Sequence, residues 1–97
     1  MNIEDREAVE SEIYRAIRKV KPSLAQTPLT PDTRFESLGL ESLERAIVTF
    51  ELEDVYELSI VESNLDTFRT VAEARDLILD LMARRAEQQL RVSGGAA

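Results

Sequence analysis

The chain has 97 residues, contains neither cysteine nor histidine, and has a net charge of −7 at pH 7. That length predicts one domain with a modest core that needs no disulfides or metals. The two missing residue types exclude disulfides, thiol chemistry, zinc fingers and histidine-dependent catalysis, and the acidity argues against nucleic acid and anionic membranes. No apolar run reaches the length of a membrane span, and the acidic start is unlike a signal peptide, so we expect a cytoplasmic protein.

The negative charge is concentrated in one part of the sequence. Between Phe35 and Phe68 there are nine acidic residues and one basic residue, Arg45, so this stretch has a charge of −8 and the rest sums to +1. Such a run is usually a solvated helix face. It is also typical of a docking surface for basic partner proteins.

The first predicted helix runs from Ile3 to about Val20, because apolar residues recur there at helical spacing and Pro22 ends the pattern. A long loop follows over residues 23–33, and we expect Leu24 and Leu29 to anchor it on the core. Thr33 and Glu36 match a capping box, which predicts a short helical turn before Gly39.

The second predicted helix begins at Ser42, directly after the glycine turn, and ends near Tyr56 or Glu57. By position alone Ser42 is its N-cap, since serine is a preferred capping residue. The hydroxyl then lies at the positive end of the helix dipole. A phosphate attached to the serine would be well tolerated there.

This second helix has too many apolar positions for one face. Val48, Leu52 and either Val55 or Tyr56 form one stripe, whereas Leu43, Ile47 and Phe50 form another. One stripe faces the core, and the other is either a half-exposed contact surface beside the acids or is buried on a second side. The sequence leaves both interpretations open.

The remaining elements complete an all-α fold. A short helix is predicted at residues 63–66, and Phe68 is expected in the core. Thr70 and Glu73 form a capping box that opens a last helix, whose periodicity holds to about Ala86. We therefore predict a small four-helix bundle of three main helices and one short helix, with the domain at residues 1–86 and a frayed or disordered tail at 87–97.

No arrangement of residues in the sequence predicts an enzyme. Gly39 and Ser42 do not match a nucleophile elbow, and no histidine is present to activate a serine. Glu51, Glu53 and Asp54 lack the glycine and the spacing of a calcium loop. We also expect no metal site.

Three segments carry a resemblance to a known family. They are residues 32–43, which contain the glycine turn and Glu41-Ser42-Leu43, residues 52–60, and residues 70–74 at the start of the last helix. In order and spacing these segments resemble the acyl carrier proteins, and the resemblance extends from about Val9 to Leu81.

The resemblance implies a function centred on Ser42. In that family the serine carries 4'-phosphopantetheine, derived from coenzyme A, and the thiol of this arm holds an acyl or aminoacyl group as a thioester. Glu41 and Leu43 flank the attachment point. The bundle would also admit part of an acyl chain.

Partners follow from the same resemblance. They are a phosphopantetheinyl transferase and enzymes that load, transfer or condense the cargo through basic docking surfaces, in fatty-acid, polyketide or other secondary-metabolite biosynthesis. The carrier itself is expected to be a monomer. The residues expected to contact these partners are Leu43, Glu44, Ile47, Phe50, Glu51 and Glu57.

The sequence departs from the family pattern at three positions. Glu41 replaces the usual Asp before the serine, Ile47 replaces a common acid, and Glu57 replaces a glycine or small polar residue. These departures favour a specialised carrier over a general fatty-acid carrier. The alternative hypothesis is an unmodified acidic helical adaptor that binds a partner through the second helix.

Overall fold

The structure is a computed structural model that describes residues 3–58, 60 and 69–96. Within these residues the helices are α1 (Ile3–Val20), α2 (Ser42–Tyr56) and α3 (Val71–Ala96), with short 3₁₀ turns at Pro22–Leu24 and Glu36–Leu38. The β structure described is an isolated bridge between Arg34 and Thr70. The all-α prediction is confirmed, with its three main helices and its long loop after the first. The short helix predicted at 63–66 and the core position Phe68 lie outside the described residues.

Helix α1 packs against both other helices and runs antiparallel to them. Lys19 contacts Glu51 of α2, and Glu10 contacts Arg75 of α3. The predicted apolar stripe of α1 supplies its part of the core, and burial of these side chains is the main force that holds the bundle together. The buried apolar residues on the three helices are Val9, Ile13, Ala16, Ile17, Val48, Leu52, Val71, Ala74, Ile78 and Leu79.

The loop after α1 is held against the start of α3. The backbone N–H of Phe35 donates to Arg69 O at 3.0 Å, and the N–H of Val71 donates to Thr33 O at 3.1 Å. Leu24 and Leu29 are partly buried against the core, as predicted. These contacts fix the loop that leads into α2.

The capping box predicted at Thr33 and Glu36 is wrong. The Thr33 hydroxyl accepts a hydrogen bond from the Thr30 N–H at 2.8 Å, so it is used within the loop. A helical turn does form, but it is a 3₁₀ turn that starts at Glu36 and has no side-chain cap. Threonine side chains often make such local bonds in turns, and these compete with capping.

Helix α3 begins as the sequence predicts and extends further than its periodicity. The Glu73 N–H donates to the Thr70 hydroxyl at 3.2 Å, while the Glu73 carboxylate accepts from the Arg69 N–H at 2.7 Å. The helix continues past Ala86 to Ala96. Good helix formers over residues 87–91 account for the first part of the extension, whereas Gly94 and Gly95 are poor helix formers. Fraying of the predicted tail at 87–97 stays a prediction.

An ion pair fastens α3 to α1. Arg75 Nη1 and Glu10 Oε2 are 2.7 Å apart, and both side chains are largely buried. The hydrogen bond to Glu10 raises the pKa of Arg75, so the guanidinium stays charged. Within the part of the chain that the structure describes, no helix has the length and apolarity needed to cross a bilayer.

Candidate functional site

The site begins at the turn that leads into α2. Gly39 ends the preceding 3₁₀ turn with φ of 70°, in the left-handed region that glycine adopts without strain. Lys21 Nζ donates to Gly39 O at 2.8 Å, and a Cβ at Gly39 would lie 3.2 Å from that same nitrogen. Lys21, just after α1, therefore fixes the turn from outside, while Leu38 and Leu40 are buried on the other side.

The N-cap of α2 is Glu41, so the prediction that Ser42 is the N-cap is wrong by one residue. Glu41 has extended backbone angles, and it forms a capping box with Glu44. In that box the Glu41 N–H donates to Glu44 Oε1 at 3.0 Å. Because the Glu44 side chain reaches back to the Glu41 N–H, Glu41 is the N-cap and Ser42 is the first residue inside the helix.

Ser42 is the first helical residue of α2, and its side chain is exposed. Its hydroxyl therefore lies beside the N-terminal end of the helix, where backbone N–H groups lack carbonyl partners within the helix and the dipole is positive. A phosphodiester on this oxygen would face a favourable field and open solvent. The residues present fit a phosphate-linked group at this position.

One apolar stripe of α2 faces away from the core. Leu43, Ile47 and Phe50 have exposed fractions of 71%, 40% and 54%. The stripe of Val48 and Leu52 is buried. The structure thus decides between the two interpretations of α2, because the helix is not buried on two sides. The exposed stripe starts one residue after Ser42.

The acidic residues predicted to contact partners are engaged within the molecule. The Glu44 carboxylate belongs to the capping box, and Glu51 pairs with Lys19 at 3.0 Å. Glu57 is the C-cap of α2 with φ of 54°, and its carboxylate lies 3.5 Å from Arg85 Nη2. All three pairs reach solvent to some extent, so they leave part of the negative charge available to a partner.

A small cavity lies behind the start of α2. Its volume is about 30 Å³, and the described residues that line it are apolar except for Arg45 and Thr49. Arg45 Nε is buried and has no hydrogen-bond partner among the residues that the structure describes. The Thr49 hydroxyl already donates to Arg45 O at 3.0 Å.

Sequence reasoning missed two residues of this site, Lys21 and Arg45. Lys21 lies 18 positions before Gly39, and no sequence pattern links it to the Gly39 carbonyl. Arg45 carried a signal, since it is the one base in the acidic stretch between Phe35 and Phe68.

Comparisons with known proteins point to one family. A family model described as "Phosphopantetheine attachment site" matches residues 15–78, more than half of the chain. No solved structure gives a significant match.

Several named relatives are similar to the chain. Acyl carrier protein 4, chloroplastic, from Arabidopsis thaliana is 36% identical over 61 residues, which are 63% of this chain and 44% of the relative. The acyl carrier protein of Onion yellows phytoplasma is 36% identical over 61 residues, 62% of this chain and 80% of the relative. The mitochondrial acyl carrier protein of Saccharomyces cerevisiae is 29% identical over 68 residues, 69% of this chain and 54% of the relative. The chain thus spans about half the length of the chloroplast and mitochondrial relatives.

Proposed function

Because the chain belongs to the acyl carrier protein family, we propose that it holds an acyl or aminoacyl group as a thioester on a 4'-phosphopantetheine arm attached to Ser42. The observation that carries this proposal is the exposed Ser42 side chain at the first position of α2. When bound, the arm supplies the thiol that the chain itself lacks.

The residues around Ser42 present it to a modifying enzyme. Lys21 and the left-handed Gly39 hold the preceding turn, and the Glu41–Glu44 box starts the helix at Ser42. The serine is therefore displayed on a fixed support and not on a loose loop. In this proposal the chain performs no chemical step itself.

We also propose partners and a location for the carrier. The partners are a phosphopantetheinyl transferase and loading, acyl-transfer or condensing enzymes with basic docking surfaces, which the exposed apolar stripe and the acidic charge of α2 would fit. The carrier acts as a monomer. The proposed location is the cytoplasm, although the similar proteins include chloroplastic and mitochondrial ones.

Modification with a phosphopantetheinyl transferase and coenzyme A tests the proposal. Intact mass should rise by one phosphopantetheine in the wild type and in Ser37→Ala, a matched control whose serine is exposed in the 3₁₀ turn before Gly39. Ser42→Ala should show no gain. If no transferase modifies the wild type, or if Ser42→Ala is still modified, the proposal is wrong.

The departures at Glu41, Ile47 and Glu57 support a carrier with dedicated partners. Ile47 adds apolar surface to the exposed stripe where an acid is common in the family. We expect the enzymes of general fatty-acid synthesis to elongate chains on the modified protein far more slowly than on their own carrier. Elongation at equal rates would contradict the specialised role.

The exposed stripe favours one second candidate, an unmodified helical adaptor. In that case Phe50→Ala abolishes partner binding and biological function, while Ser42→Ala changes neither. Loss of function in Ser42→Ala would exclude the adaptor and support the carrier.

A further inference from the structure

The cavity behind α2 has a polar feature that a plain hydrocarbon site lacks. The apolar wall consists of Phe35, Leu40, Val48, Leu52 and Ile78. The Nε of Arg45 is buried in this lining and has no hydrogen-bond partner within the described part of the chain. Buried polar groups are normally paired, so an unpaired guanidinium N–H in an apolar cavity is a site for an acceptor.

The cavity lies close to the proposed attachment point. Leu40, two residues before Ser42, and Arg45, three residues after it, both line the cavity. Positions three apart on a helix are neighbours, so the base of the Arg45 side chain lies near Ser42. A group carried on an arm at Ser42 therefore needs only to fold back to enter.

The two polar residues of the described lining, Arg45 and Thr49, differ in their ability to donate a hydrogen bond to a ligand. The Thr49 hydroxyl proton is already used on Arg45 O, whereas the Arg45 Nε–H is unused. The site thus offers a charged donor to an incoming group, and it has no carboxylate among its described lining residues. Charge-assisted hydrogen bonds of this kind are the stronger ones.

The size of the cavity restricts what enters. A volume of about 30 Å³ holds only a small group, since a single water needs about 10–15 Å³ on a comparable measure. An alkyl tip there would exclude water and leave the Arg45 Nε–H without a hydrogen-bond acceptor, which costs free energy. A tip with an oxygen would pair it.

We propose that this cavity selects a short acyl chain that bears an oxygen acceptor, bound by Arg45 Nε–H, over a plain alkyl chain of equal length. The inference rests on the proposed function, because it requires an arm on Ser42. It names the class of cargo as oxygenated acyl groups.

Thermal unfolding of the loaded protein tests this proposal. The holo protein is prepared with butanoyl, 3-oxobutanoyl and 3-hydroxybutanoyl groups, each joined to the arm as a hydrolysis-resistant amide, so that the added oxygen lies at the tip of the chain. The two oxygenated forms should melt about 3–6 °C above the butanoyl form, because one added charge-assisted hydrogen bond has an effect of this order in a domain of this size. Arg45→Met should remove that difference.

The matched control is Arg34→Met, which removes the same charge from an exposed side chain that does not line the cavity. It should keep the difference. In the wild type, the NMR signal of Arg45 Nε should shift with the oxygenated cargoes and not with butanoyl, which reports on the contact without any variant.

Equal melting temperatures for the three loaded forms, or the highest for butanoyl, would overturn the inference. So would a loss in Arg45→Met that is the same for every cargo and for the bare arm, since it would place the guanidinium at the phosphodiester. Failure to load the arm onto Ser42 would overturn the proposed function and this inference together.

Discussion

Two residues with positive φ flank α2, Gly39 before it and Glu57 at its C-cap. For residues other than glycine this conformation costs about 1–2 kcal/mol. Gly39 adopts this conformation without that cost, whereas Glu57 bears it. Replacing the glycine at position 39 should therefore lower the stability of the protein, and introducing a glycine at position 57 should raise it.

Gly39→Ala should lower the free energy of unfolding by about 1–2 kcal/mol, because alanine is strained at φ of 70° and its Cβ would crowd Lys21 Nζ. Urea unfolding measures the change. The variant should also be modified more slowly at Ser42, because the turn before it shifts. Unchanged stability would mean that the turn does not require a left-handed residue.

Glu57→Gly should raise the free energy of unfolding by about 0.5–1 kcal/mol, since glycine removes the left-handed strain and offsets part of that gain by its flexibility when unfolded. The lost contact with Arg85 is long and exposed, so it subtracts little. Arg85 Nη1 still donates to the Tyr56 carbonyl at 2.8 Å in this variant. Glu57→Ala, which keeps the strain, is the control and should not be stabilised.

At the scale of elements, α2 has two apolar faces with different uses. Leu52 is buried on the core face, and Phe50 is half exposed on the other. Leu52→Ala should cost about 2–5 kcal/mol in unfolding free energy, whereas Phe50→Ala should stay within about 0.5 kcal/mol. The same Phe50→Ala should weaken binding to partner enzymes. Equal destabilisation by the two variants would contradict the separation of the faces.

Local patterns in the sequence are sufficient to predict the three helices and the two stripes of α2. They are not sufficient to orient α2, because that depends on which stripe meets Ile13 and Ile17 of α1. They also place the N-cap at Ser42, because serine is a preferred capping residue. In the structure the N-cap is Glu41, because the Glu44 side chain bonds to its backbone N–H in a capping box.

The contacts of Lys21 and Arg45 are also beyond local patterns. Lys21 meets Gly39 O across 18 positions of sequence, and Arg45 is placed in the cavity by helices that pack around it. Such long-range contacts arise from packing, so they become visible only once the bundle is assembled.

At the scale of the whole molecule, the position of the negative charge matters more than its sum. Asp54 is exposed on α2, on the same face as Phe50. Glu7 is exposed on α1, at the level of Tyr56 and so at the opposite end of α2 from Ser42. Asp54→Lys and Glu7→Lys change the net charge equally. Asp54→Lys should slow association with the transferase about 2–5-fold at low salt, and Glu7→Lys should have little effect. Equal slowing would mean that net charge alone steers the encounter.

The central claim is that Ser42 carries a phosphopantetheine arm in the cells that make this protein. The intact mass of the chain purified from those cells tests it most directly, with peptide fragmentation to locate any added mass. The predicted result is the mass of the chain plus one arm, with or without an acyl group, assigned to Ser42. A chain found wholly at its unmodified mass, in cells whose other carriers are modified, would contradict the account.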